Sequence, residues 1–173
     1  PRIKAAFVRR EEDYGMWWPG AVYDGEAARK KYAGALMRAE KELGISLDLR
    51  KKPIYSMEET NTWLQEAKNK PADGLLLLLL DRQEHSWPTA QKASESGIPT
   101  VIYSPLGTSF TTNTTNFVNK TGCVVYSTND FDQCVNGLKV LKADALMKRT
   151  RCVVIKGNER RKTRLADTGI TLQ

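Results

Sequence analysis

The segment Asp81-Arg82-Gln83-Glu84-His85-Ser86-Trp87-Pro88 sets a carboxylate, a guanidinium, an imidazole and an indole close together in the chain. Asp81 and Arg82 can bracket a ligand hydroxyl with an acceptor and a fork of donors. The alternative is a helix cap, a surface ion pair and a packing tryptophan. A second cluster, Glu11-Glu12-Asp13-Tyr14-Gly15-Met16-Trp17-Trp18-Pro19-Gly20, holds two adjacent tryptophans. Sugars expose apolar C–H faces that stack on indoles, while carboxylates and amides take their hydroxyls, so this mixture suits a carbohydrate. Trp17 and Trp18 can equally pin the loop to the domain or sit at a subunit interface. Ser104 to Phe110 and Thr111 to Asn116, with Asn113 among them, offer hydroxyls and amides that line a pocket or bond the backbone of a long loop. Thr128-Asn129-Asp130 reads as a helix cap, with Asn129 a further ligand candidate. The candidate substrate contacts are therefore Trp17, Trp18, Asp81, Arg82, His85, Trp87, Asn113 and Asn129.

Other chemistries lack their residues. His85 is the only histidine, which excludes a multi-histidine metal site within this chain. Beside Glu84 it could do acid–base work, but no nucleophile or metal partner accompanies it. No GxGxxG follows the first strand, and neither a GxxxxGK[ST] loop nor a GxSxG elbow is present. Cys123, Cys134 and Cys152 form an odd set without a CxxC pair. Cys123 and Cys152 each open a Val-Val run and read as small core residues at strand starts. The formal charge is +7, yet the basic residues are scattered. Only Arg160-Arg161-Lys162-Thr163-Arg164 is dense, and it has no aromatics to stack bases, so nucleic-acid binding is not supported. With 40% apolar and 27% charged residues, the 173-residue chain has an ordinary globular composition and about the length of one domain. Its longest apolar run, Leu75 to Leu80, is far below the ~20 residues of a membrane helix, so no membrane insertion is expected.

The elements that must position these clusters alternate strand and helix. Ile3–Val8 reads as a strand, followed by a polar and aromatic loop to Gly25. From Glu26 to Leu43 the apolar residues Ala28, Tyr32, Ala35, Leu36, Ala39 and Leu43 recur at helical spacing, and Gly44 stands at the helix end. Ile45–Leu49 is a second strand, and Ser56 with Glu59 forms a capping box for a helix that buries Trp63, Leu64 and Ala67 and stops before Pro71. Six consecutive leucines, Leu75 to Leu80, predict a central parallel strand covered on both faces. A short helix over Pro88–Ser96, a strand over Thr100–Tyr103 and a long loop from Leu106 to Thr121 come next. Gly122–Ser127 is a fifth strand, and Asp130 caps a helix to about Lys148 with Phe131, Leu138, Leu141 and Leu146 inward. Cys152–Ile155 reads as a sixth strand, and Ile170-Thr171-Leu172 as the start of another. The pattern predicts an α/β fold: a doubly wound, Rossmann-like or flavodoxin-like three-layer sandwich with a mainly parallel sheet of five or six strands. Residues 1–150 form the domain, and 151–173 supply a strand and a crossover into a following domain, so the chain is expected to be a fragment. In such folds ligands sit outside the carboxyl ends of the strands.

Two resemblances follow from these residues. STNDFDQCVNGLKVL followed by RCVVIKGNE resembles the first domain of type I periplasmic sugar-binding proteins. In ribose-type members, aromatics after strand one and an Asp-Arg pair after strand three contact the ligand. The resemblance assigns those roles to Trp17, Trp18, Asp81 and Arg82. The stretches GMWWPG, LLDRQEHSWPTAQKASESGIPTVIYSP, FTTNTTN and VVIKGNERRKTRLADTGITL are similar to the N-terminal region of bacterial L-fucose isomerase-like proteins. That resemblance implies a metal-dependent aldose–ketose isomerase, usually with manganese, whose metal-binding Glu and Asp lie in later domains. This chain would then supply sugar or interface contacts, hold no cofactor itself, be inactive alone and belong to a homo-oligomer. It implies a cytoplasmic protein, with the periplasm as the alternative if a signal was removed before Pro1.

Overall fold

The computed structural model describes residues 1–12, 24–82, 84–153, 163–164 and 171–172. Five strands form one parallel sheet: β1 (Arg2–Val8), β2 (Ser46–Leu49), β3 (Gly74–Leu79), β4 (Thr100–Ser104) and β5 (Cys123–Ser127). Their order is β2-β1-β3-β4-β5, so the chain reverses its direction of travel between β1 and β3. The helices are α1 (Gly25–Leu43), α2 (Met57–Asn69), α3 (Ser86–Ser94), α4 (Thr111–Thr114) and α5 (Phe131–Arg149). The protein is thus a doubly wound, Rossmann-like three-layer sandwich.

Strand periodicity sorts the core into two layers. Ile3, Ala5, Phe7, Leu76, Leu78, Leu80, Val101 and Tyr103 meet Tyr32, Leu36 and Ala39 of α1 and Cys134, Leu138 and Leu141 of α5. Ala6, Val8, Leu75, Leu77, Leu79 and Ile102 meet Trp63, Leu64 and Ala67 of α2 and Trp87, Ala90 and Ala93 of α3. The leucine run needs no alternation because both of its faces are covered: all of β3 is buried.

Local chemistry sets the element ends. Gly44 terminates α1 at φ 58°, a left-handed position that favours glycine, and its amide bonds the Glu40 and Lys41 carbonyls. Ser56 accepts from the Glu59 amide at 3.2 Å, while the Glu59 carboxylate reaches back to the Tyr55 amide, one residue before the expected cap. Helix α3 starts at Ser86, two residues ahead of the expected Pro88, because proline is tolerated in a first turn whose amides have no helical partner. The loop after β4 carries α4 and a 3₁₀ turn, Thr115–Phe117, which the Thr- and Asn-rich sequence does not announce.

Three expectations change. Leu146 is 45% exposed instead of inward, since each residue turns the helix by about 100° and the inner stripe is Leu138, Leu141 and Ala145. Cys152 is exposed and not a core residue. No strand forms at Cys152 or Val153, and Val153 is 78% exposed; β-branched residues favour strands only where a neighbour receives them. Val154 and Ile155 lie outside the described residues. Thr171–Leu172 does form a strand, β7, paired antiparallel with β6 (Thr163–Arg164). Among the described residues no helix is long and apolar enough to cross a membrane.

Candidate functional site

The carboxyl ends of β1, β3, β4 and β5 lie along one edge of the sheet, because all four strands are parallel. Asp81, two residues past the end of β3, is only 4% exposed. The β1–β3 register, which aligns Val8 with Leu79, brings Arg10 alongside, and Arg10 Nε donates to the Asp81 carboxylate at 2.6 Å. Asp81 thus has Arg10 as a partner across 71 residues of sequence, and Arg82 is directed elsewhere. The Arg82 guanidinium lies over the Phe110 ring, 4.5 Å from its centroid.

A cavity of about 680 Å³ opens over the ends of β4 and β5, against the first turns of α1. Ala28, Lys31 and Tyr32 form the α1 side, Pro105 to Gly107 and Ser109 to Thr111 the opposite side, and Ser127 and Asn129 the floor past β5. Its volume falls within the ~300–1,000 Å³ usual for small-molecule sites. Two aromatic rings, Tyr32 and Phe110, share the lining with hydroxyls and an amide. Ser109 Oγ and Ser127 Oγ are 2.6 Å apart, and Asn129 Oδ1 accepts from the Leu106 amide at 3.0 Å. Tyr32 stacks on Phe131 and meets Tyr103 edge-on, with centroids 5.4 and 5.5 Å away. Burial pushes the Tyr32 phenol above its usual range, so it stays protonated at neutral pH.

Behind the α1 wall, Arg29 forks onto the Glu26 carboxylate and holds it below its ordinary pKa despite the opposing effect of burial. Arg9 approaches the same carboxylate at 3.4 Å and is 6% exposed.

The other predicted residues are distributed differently. Asn129 lines the cavity. Asn113 sits beside it and caps α4, its Oδ1 accepting from the Phe110 amide at 2.9 Å. Trp87 is buried in the opposite core layer against Phe117, yet its Nε1 donates to the Thr108 carbonyl at 3.0 Å and so fixes the loop that forms the cavity wall. Thr108 is anchored further by Ser104 Oγ, 2.7 Å away. His85 is buried, with Nε2 2.9 Å from the Ile54 carbonyl oxygen. Trp17 and Trp18 lie outside the described residues. The structure adds Lys31, Tyr32 and Phe110, which sequence reasoning left in helix faces and loop, and Arg10, which it left in the loop after the first strand.

Among the described residues no group of three or more His, Cys, Asp or Glu side chains could hold a metal ion. Comparison with models of known families, with curated proteins and with solved structures gives no match for this chain.

Proposed function

We propose that this chain is the substrate-side domain of an L-fucose isomerase-like aldose–ketose isomerase, contributing sugar contacts and not the catalytic metal ligands. The observation that carries this reading is the cavity over β4 and β5, where the half-exposed Phe110 ring and the largely buried Tyr32 line the same space as Ser109, Thr111, Ser127 and Asn129. Aromatic faces complement the C–H surface of a pyranose, and short hydroxyl and amide groups exchange hydrogen bonds with its hydroxyls without the large desolvation cost of a buried charge. The position agrees with the rule that open parallel sheets bind ligands beyond their strand ends.

Calorimetric titration of the chain with L-fucose, other aldoses, their ketoses and polyols tests it. The isomerase reading predicts saturable binding of an aldose and of its ketose, since an isomerase domain contacts both. A receptor domain without catalysis would use the same cavity but select one sugar over its isomer. Absence of heat across the whole panel contradicts sugar binding.

A further inference from the structure

We propose that the outer edge of β5 and the flank of α5 beside it form the interface of a two-fold dimer, with a second copy of this chain as the occupant. The proposal does not depend on the sugar reading of the cavity, so each can fail alone. The two edges of the sheet differ in how they are protected. On β2, Asp48 is ion-paired with Arg2 and Lys4, and charges on an edge disfavour pairing with another strand. On β5, Cys123-Val124-Val125-Tyr126-Ser127 carries no charge and no proline, and among the described residues no strand lies on its outer side. The Gly122 carbonyl and the Thr128 amide bond β4, so alternation along the strand turns the amides and carbonyls of Cys123, Val125 and Ser127 outward.

The flank of α5 above this edge is apolar. Val140 lines a groove of about 580 Å³ with Cys123 and Val124, and Met147 follows it along the same side of the helix. Val140 and Met147 are 56% and 48% exposed, although the opposite face of α5 already packs on the sheet. The charges select a second copy as the occupant. Asp130 and Asp132 stand at the start of α5, past the carboxyl end of β5, and Lys148 and Arg149 in its last turn, beside the amino end of the strand. Lys148 and Arg149 touch Asp144 and Asp73 but keep 61% and 60% of their side chains exposed. A two-fold axis at Val125 runs both β5 strands and both α5 helices antiparallel. The acidic end of each flank then faces the basic end of the other, with the apolar stretch at the centre. The same operation pairs Val125 with its equivalent and Cys123 with the second copy's Ser127, which are the residues whose backbone points outward. A copy added in the parallel sense would set like charges together.

Sedimentation velocity and amide hydrogen exchange on the intact chain, from about 1 to about 200 μM, test the proposal. We expect a reversible monomer–dimer equilibrium without larger species. Protection of the Cys123, Val125 and Ser127 amides should appear only as the dimer fills, since in the dilute monomer they exchange as edge amides do. Val140 is exposed, so Val140→Lys keeps the fold, and it should weaken dimerisation about tenfold or more by setting like charges near the axis. Asp132→Lys and Lys148→Glu should each weaken it severalfold, and the double variant should recover it. A chain that stays monomeric throughout overturns the proposal, as does open-ended growth or a dimer indifferent to Val140→Lys. Protection of the three amides at every concentration would show the edge covered within the chain and overturn it too. A double variant no tighter than the single ones would overturn the two-fold arrangement.

Discussion

Removing the Asp81 carboxylate would take from Arg10, whose side chain is 15% exposed, its short charge-assisted contact at the end of β3, while Glu12 stays within 3.9 Å of its guanidinium. One-sided loss of a buried ion pair costs up to about 3–5 kcal/mol when the remaining charge is uncompensated; with Glu12 still near Arg10, Asp81→Ala should destabilise the fold by about 1–3 kcal/mol in urea unfolding, and a loss below about 0.5 kcal/mol would contradict the assigned role. The cysteines give a second residue-scale prediction. Burial pushes the Cys134 thiol up to about 12 and Cys123 to about 11, the latter against the opposing pull of Lys120, while Cys152 is exposed. Because the thiolate is the nucleophile, a disulfide reagent at pH 8 should label Cys152 first, Cys123 slowly, and Cys134 only as the protein unfolds. Equal rates for Cys134 and Cys152 would refute that order. Asp81 was recognisable because it ends an unbroken leucine strand. Arg10 was not, because only the β1–β3 register brings it near. Lys31 and Tyr32 read as solvated charge and helix core, and their second role appears only when the loop after β4 folds over against α1.

At the scale of elements, α5 approaches β4 through Gly137, where an added Cβ would stand 2.7 Å from Val101 Cγ1 and 3.1 Å from the Tyr126 ring. Alanine would gain about 1 kcal/mol of helix propensity, but overpacking costs about 1–3 kcal/mol. Gly137→Leu removes the ambiguity: we expect a loss of at least about 2 kcal/mol, read from the denaturation midpoint, and an unchanged midpoint would show that α5 sits further from the sheet. Trp87→Phe should keep most of the packing against Phe117 but leave the Thr108 carbonyl unpaired, at a cost of about 1–3 kcal/mol, and weaken sugar binding through the freed loop without touching the ligand. Unaltered sugar affinity in that variant would detach the loop from the site. Helix α1 was legible from its spacing and its glycine end, and β3 from its continuous apolar run. Helix α4 and the following 3₁₀ turn were not, because runs of Thr and Asn carry no apolar period and gain their order from Phe117 packing on the core.

For the whole molecule, the sheet order predicts a gradient of local stability. Strands β1, β3 and β4 have neighbours on both sides within the sheet, whereas β2 and β5 are its edges and are only partly buried. Native-state hydrogen exchange should therefore find the slowest amides in β1, β3 and β4 and faster opening at β5, and uniform protection across all five strands would contradict this arrangement. Fold class was readable because each level of the sequence agreed: short apolar runs for the strands, helical spacing between them, and glycine or capping residues at the joins. The ligand was less readable, since a doubly wound sheet serves many chemistries and the cavity is assembled from α1, the loop after β4 and the end of β5. Amide chemical-shift mapping during titration with a binding aldose or its phosphate tests the central claim most directly. The account predicts saturable shifts concentrated in residues 28–32, 105–111 and 127–129, around the cavity. Saturable shifts confined to other parts of the chain, or none with any sugar tried, would contradict it.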